Sequence, residues 1–335
     1  MRACSSRTAP STSWLDLVRP LASLSLDLDN QWAYLKTHGN PAWEARPSYL
    51  PRVVPTALQV LDDVGLHITF FVVGHDAAAE PAVVADLASA GHEIGNHSWA
   101  HEPWLHLYRD DEIASELDRT DDAIESATGQ RPTAFRGPGY SLSEPLLRLL
   151  HDRGYQVDAS TLPTWIGPLA RRYYFRSAKL TGEQREQRAL LFGSWRDGRR
   201  PIVPYHWTMP SGSLLELPVT TMPVLRVPMH VSYVLYLEQL SPALARAYFR
   251  AALATCRLAK VGPSILLHPL DLLGGDDLPD SGLEFFPGMA LPGARKRRLV
   301  ADCLAMLKDR FEVVPVGEHA ARINGGARQV PVSDV

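Results

Sequence analysis

Three short strings hold the residues best suited to chemistry: Asp27-Leu28-Asp29, His97-Ser98-Trp99-Ala100-His101 and Leu266-Leu267-His268. Together they offer one carboxylate and two imidazoles for a metal ion, and a second carboxylate and a third imidazole for proton transfer. That set suits hydrolysis. From Leu24 to Asp29 apolar and polar residues alternate, so a strand sends Leu24, Leu26 and Leu28 to one face and Ser25, Asp27 and Asp29 to the other. Two carboxylates on one face repel unless a cation or a basic partner neutralises one of them. Taken alone, the string reads equally well as a strand end in solvent with Asp29 and Asn30 as turn residues. His97 and His101 are four residues apart, and a helix would stack them as a ligand pair after a turn at Gly95 and Asn96. A histidine pair alone is more often surface decoration, and the nearby His92 and His106 read as bystanders. What raises the weight of each string is the presence of the others, in order.

Further along come Phe135-Arg136-Gly137-Pro138-Gly139-Tyr140, Tyr155-Gln156-Val157-Asp158-Ala159-Ser160 and Ile265-Leu266-Leu267-His268-Pro269. With these the chain resembles the polysaccharide deacetylase superfamily, the NodB-homology or carbohydrate esterase family 4 domain, whose five motifs occur in order between about residues 21 and 320. The resemblance implies Asp27 as general base, Asp29, His97 and His101 as metal ligands, and Arg136 as the residue that holds the base. It also implies Asp158 as the partner that orients the acid and His268 as that acid. One departure stands out. Many members carry Tyr at the third position after the Arg, where this chain has Gly139 followed by Tyr140; the backbone N–H of Gly139 can still donate to an oxyanion.

The chemistry follows from the residue types. A metal held by Asp29, His97 and His101 keeps an open position for water and can lower its pKa toward ~7. Asp27 can then take a proton as water attacks an amide carbonyl, the Gly139 N–H can meet the developing oxygen charge, and His268 can protonate the departing nitrogen. Zinc is the expected ion, although the same ligands accept cobalt, nickel, manganese or iron(II).

The surrounding elements must bring these strings to one place. Strands are expected near 22–29, 67–74, 132–136, 155–159, 214–219, 264–268 and 311–315. Helices are expected near 50–64, 78–90, 110–127, 143–153, 241–259 and 295–309. Such alternation argues for parallel βαβ units, and chemistry at the carboxyl ends of several strands fits a barrel. The resemblance implies a distorted (β/α) barrel of about seven strands. The expected organisation is an N-terminal extension over 1–20, one domain over 21–322 with insertions at about 163–213 and 222–262, and a C-terminal tail over 323–335. Residues 1–15 and 325–335 are expected to be mobile.

At 335 residues and 45% hydrophobic content the chain can bury a large core. A net charge of −3 does not favour nucleic acid as a partner. The three cysteines lack paired or metal-like spacing, and no apolar run has transmembrane or secretory-signal length, so the expectation is a cytoplasmic protein. Two stretches stand apart from the motifs. Residues 171–200 are strongly basic with Tyr173, Tyr174 and Phe175 interleaved, and read as a solvated face or a phosphate-binding insertion. Residues 222–237 are apolar but broken by Pro223, Arg226, Pro228 and His230, and read as a buried insertion or a surface that touches lipid.

The resulting expectation is N-deacetylation or N-deformylation of an amino sugar. A carrier lipid or a nucleotide would hold that sugar, with peripheral contact at the inner membrane face. The alternatives are a ureide or cyclic-amide hydrolase of the same superfamily, a silent sugar-binding relative, and a non-haem iron oxygenase, in which Asp27 and His268 would have no task. The oligomeric state is left open by the sequence.

Overall fold

The computed structural model describes residues 19–335 except 324–326, Pro287 and most of 168–194. A ten-stranded sheet forms the frame. Its strands are β1 (Leu21–Leu28), β2 (Thr69–Val72), β3 (Glu93–Asn96), β4 (Ala134–Phe135), β5 (Val157–Asp158), β6 (Tyr205–Met209), β7 (Gly212–Glu216), β8 (Ser264–Leu267), β9 (Glu312–Val314) and β10 (Arg328–Pro331). Their order is β10-β6-β7-β5-β4-β3-β2-β1-β8, with β9 also on β1. The seven neighbours from β7 to β8 run parallel throughout, and only β6 with β7 is antiparallel.

No regular ladder joins β7 to β8, but the chain leaving β7 bridges them. Leu217 N donates to Asp158 O (2.8 Å) and Val219 N to Thr161 O (2.9 Å) on one side. Thr220 N donates to Ser264 O (2.9 Å), and Ser264 N returns a bond to Thr220 Oγ1 (2.8 Å). These bonds satisfy backbone groups that a frayed sheet end would strand. The arrangement is an α/β parallel sheet consistent with a distorted barrel.

The described helices are α1 (Gln31–His38), α2 (Leu50–Val64), α3 (Gly74–Ala79), α4 (Pro81–Ser89), α5 (Asp110–Thr128), α6 (Glu144–Asp152), α7 (Val231–Leu240), α8 (Pro242–Ala259), α9 (Gly293–Arg310) and α10 (Val316–Ala321). The expected helix over 78–90 is two helices, because Pro81 has no N–H to continue α3 and starts α4 as its first residue. The short elements α1, α7, α10, β3, β6 and β10 were not anticipated, since four to ten residues carry too little periodicity to be distinguished from loop. Contrary to the expectation of a mobile end, Arg328–Pro331 pairs in parallel with Tyr205–Thr208 of β6. Most of the basic stretch over 171–200 lies outside the described residues. In the 222–237 stretch Met222, Met229, Val231, Val234 and Leu235 are buried, as a buried insertion requires, while Val224 and Leu225 are exposed.

Alternation along β1 splits the core. Leu24, Leu26 and Leu28 join the large apolar layer that includes Val53 and Ala57 of α2, Phe249 of α8 and Leu304 of α9. On the other face of the sheet, Phe71, Ala134, Val157 and Leu215 form a smaller inner cluster. Phe71 packs close over β3, where a Cβ added to Gly95 would lie 2.6 Å from a Phe71 ring carbon and 3.1 Å from the Ala134 carbonyl oxygen. Gly95→Ala is therefore expected to destabilise the protein by about 1–3 kcal/mol through overpacking, read as a lower urea midpoint at unchanged m-value.

Candidate active site

The sheet register aligns the strand ends. Leu28 lies beside Val72, Val72 beside Asn96, Asn96 beside Phe135, Phe135 beside Asp158 and Asp158 beside Glu216. The next residue along each of three strands is a motif residue: Asp29, His97 and Arg136. On β8, where Leu267 lies beside Leu26, the next residue is His268. All four thus emerge at the carboxyl ends of parallel strands, where open α/β sheets and barrels place their sites. Period-two alternation points them, with Asp27, toward the inner face occupied by Phe71.

Asp29 Oδ1 approaches His101 Nε2 at 2.8 Å and His97 Nε2 at 3.2 Å, all three residues being buried. One potential ligand atom from each lies within 4.8 Å of the other two. His97 Nδ1 lies 2.6 Å from the Arg136 carbonyl, which can only accept, so the proton is on Nδ1 and the Nε2 lone pair is free for an ion. Asp29 Oδ1 and both His101 ring nitrogens have no hydrogen-bond partner among the described residues. Burial alone would raise the Asp29 carboxyl, yet His101 and His97 hold it well below the usual carboxylate range. Burial pulls the His97 imidazole down, but Asp27, Asp29 and the Arg136 carbonyl outweigh it and leave it above its ordinary value. Buried anionic and imidazole donors with unsatisfied atoms need a cation, and these three fit a divalent metal.

The helix expected for His97–His101 is not formed. The segment is a loop in which Ser98 (φ 60°) and His101 (φ 49°) both adopt the left-handed conformation. Its strained backbone is held from α5: the buried Glu116 accepts Trp99 N and Ala100 N on one oxygen, each at 2.9 Å. Asn96 Oδ1 accepts Ser98 N (2.8 Å), and Ser98 O accepts Gly74 N (2.9 Å). The four-residue spacing is thus met by a bend that brings the His101 ring within 5.0 Å of the His97 ring, centre to centre.

Asp27 sits beside this cluster and is held separately. Arg136, fully buried, donates from Nη1 to Asp27 Oδ1 and to Ser25 Oγ (both 2.7 Å) and from Nε to Ala159 O (2.9 Å). Its guanidinium lies 4.4 Å from the Phe71 ring centre. The resemblance assigned this arginine to the base, and the structure places it there.

Asp158 departs from its expected place. It follows Val157 and so points to the face of Phe135, opposite the one that carries Asp27 and Arg136. There it is fully buried against Glu216 and accepts the Ser160 hydroxyl at 2.5 Å. Glu216 in turn accepts Thr161 N (3.0 Å), Thr161 Oγ1 (2.6 Å) and Trp207 Nε1 (3.1 Å). Burial and the neighbouring Glu216 push the Asp158 carboxyl well above the carboxylate range. Burial also raises Glu216, against the opposing bonds from Asp158, Thr161 and Trp207. Burial and the mutual repulsion of two carboxylates thus favour a proton held by the pair. His268 instead meets Ser232 Oγ through Nδ1 (3.0 Å), while its backbone N–H donates to Asp271 Oδ2 (2.8 Å).

Gly139 lies exposed in a turn with φ 58°. The turn is closed by Tyr140 N to Gly137 O and Ser141 N to Pro138 O, both 3.0 Å, so the Gly139 N–H takes no part in closing it. Sequence reading missed Ser25, Glu116, Glu216, Ser232 and Asp271. Ser25 was legible from alternation with Asp27, and Asp271 from its three-residue distance to His268. Glu116, Glu216 and Ser232 carry no local signal.

Residues 42–157 match the family model for polysaccharide deacetylase. Over that segment the chain is similar to the polysaccharide deacetylases. His97, His101, Arg136 and Gly139 fall inside the matched segment, and Asp27, Asp29, Asp158 and His268 outside it. An uncharacterized 30.6 kDa protein of Geobacillus stearothermophilus is 39% identical over 100 residues, covering 30% of this chain and 37% of that protein. The Bacillus subtilis peptidoglycan-N-acetylmuramic acid deacetylase PdaA is 35% identical over 104 residues, covering 31% of this chain and 39% of that protein. The chain thus spans well under half the length of these curated relatives. A crystal structure of a candidate polysaccharide deacetylase from Mycobacterium smegmatis shares the fold, with a TM-score of 0.61 at 22% identity over 97% of this chain and 98% of that one. No described helix is long and apolar enough to cross a membrane.

A buried carboxyl pair that favours a proton has a measurable consequence. Asn can still donate to Glu216 whereas Ala cannot, so Asp158→Asn is expected to stay within about 1 kcal/mol of the parent and Asp158→Ala to lose about 2–3 kcal/mol in chemical denaturation.

Proposed function

We propose that the chain is a metal-dependent hydrolase that removes an N-acetyl or N-formyl group from an amino sugar, with N-acetylated polysaccharide of the peptidoglycan type as the substrate class. The observation that carries this reading is the separation of tasks around the strand ends. Three donors gather for an ion, Asp27 is held apart from them by Arg136, and His268 rises on the neighbouring strand. The relatives' names support the choice of an N-acetylated glycan.

A divalent ion bound by Asp29, His97 and His101, Zn2+ by donor type, would supply Lewis acidity and an activated water. Asp27, held by Arg136, accepts the proton as water adds to the amide carbonyl. The Gly139 N–H donates to the oxygen as it gains charge. His268 delivers a proton to the nitrogen as the C–N bond breaks, so the sugar leaves as an amine and the acyl group as a carboxylic acid.

Exposed Val224 and Leu225, 90% and 62% accessible in the turn between β7 and α7, favour a finer form of this reading in which the sugar is carried on a lipid at the inner membrane face. Vesicles of anionic lipid are expected to bind the parent protein and to lose it on Val224→Asp with Leu225→Asp; equal flotation of both would remove the lipid form. A nucleotide-linked sugar and a cyclic amide are the comparison substrates.

Acetate release from N-acetylglucosamine oligomers and from peptidoglycan, measured beside allantoin-type amides, tests the class. Asp27→Asn is expected to lower turnover about 10²–10⁴-fold with bound metal unchanged, and His101→Ala to lose the metal by elemental analysis. Hydrolysis of the cyclic amides alone, or turnover untouched by Asp27→Asn, would overturn the proposal.

A further inference from the structure

We propose that Ser232 and the buried Asp271 are positioning residues that fix the tautomer of His268, in place of Asp158. This rests on reading His268 as the proton donor. Two observations motivate it: Asp158 lies on the opposite face of the sheet beside Phe135 and Glu216, and His268 Nδ1 has another neighbour in Ser232 Oγ at 3.0 Å.

Asp271 closes the short turn Pro269–Asp271 by accepting the His268 N–H at 2.8 Å and is fully buried. A carboxyl with no access to water must be satisfied from within. Burial pushes it up, while His268, its backbone N–H, Ser232 and Lys296 each pull it back. The pull from Ser232 puts its hydroxyl close to this carboxyl as well as to the His268 ring.

The loop that carries Asp271 is itself locked. Lys296 of α9, fully buried, donates from Nζ to Leu270 O (2.8 Å) and Leu273 O (2.9 Å) on either side of it. Ser232 lies in the first turn of α7, just after the N-cap residue His230. Ser232 of α7 and Asp271 of the turn after β8 therefore meet at His268, one on its ring and the other on its backbone N–H.

Proton accounting sets the direction. The anionic Asp271 draws the single Ser232 proton toward itself, which leaves the Ser232 oxygen to accept from His268 Nδ1–H in the arrangement we propose. Nε2 is then the ring nitrogen left to give a proton to the leaving amine and to take one back after turnover. A wrong tautomer would present a nitrogen that cannot be recharged at the cleft, the failure that a removed aspartate produces in serine-hydrolase triads. Capping alone accounts for the Asp271 bond to the His268 N–H, but not for the Ser232 bridge to the ring.

Nitrogen-15 NMR of the histidine rings in the full chain tests this without turnover, with the His268 signal identified by its loss in His268→Gln. The parent is expected to show His268 protonated on Nδ1 in its neutral form. Ser232→Ala is expected to shift the ring to the Nε2–H form that free imidazole side chains prefer, and Ser232→Thr to restore the parent signal. In acetate release Ser232→Ala should lower kcat about 10- to 100-fold with KM within twofold. Asp271→Asn, which keeps the oxygen that caps the turn, should act in the same direction. An Nδ1–H form that persists in Ser232→Ala, or a loss confined to KM, would overturn the proposal. If Asp271→Asn fails to fold, Ser232→Ala decides the matter alone. A tautomer change in a protein that releases no acetate would sustain the positioning role while defeating the amide-hydrolase reading.

Discussion

The buried guanidinium of Arg136 is the point through which the site is assembled. Its Nη1 ties Asp27 and Ser25 of β1, its Nε ties the carbonyl of Ala159 beyond β5, and its own carbonyl receives the Nδ1 proton of His97 beyond β3. A buried charge of this kind is costly unless geometry and partners are both good. Here the cost is offset by a carboxylate, a hydroxyl, a carbonyl and the face of Phe71. One residue thereby fixes the spacing between Asp27 and the Asp29, His97 and His101 cluster, and through its carbonyl sets which His97 nitrogen is free.

The second organising constraint is the alternation of the parallel strands. Because neighbouring strands are in register, one row of residues defines the end of the sheet, and the residues just beyond it all face the same way. This gathers Asp29, His97 and Arg136 from positions up to 107 residues apart in sequence, the span from 29 to 136. The same rule sends Asp158 to the opposite face, where it is buried against Glu216. A residue can therefore stand at a motif's position in the sequence and still belong to a different layer of the protein.

The loop between His97 and His101 shows a third kind of dependence. Its two left-handed residues are not intrinsically favoured, since neither is glycine. Glu116 on α5, by accepting two consecutive loop N–H groups, supplies from a distant helix what the loop lacks locally. The helix thus stabilises a strained ligand geometry, as strained sites require from their surroundings.

Sequence alone determined the donor types, the shared face of Ser25, Asp27 and Asp29, the alternation of strands and helices, and six of the seven strands of the parallel run, because these are short-range patterns of spacing and polarity. The five motifs also named Arg136 as the holder of the base, through resemblance rather than through local physics. Only the tertiary structure decided that His97 and His101 meet on a loop, that Asp158 pairs with Glu216, that the C-terminal residues form a strand, and that Ser232 and Asp271 stand behind His268. Each of these depends on strand register, or on a partner dozens to more than a hundred residues away, and neither is encoded in a local window of sequence.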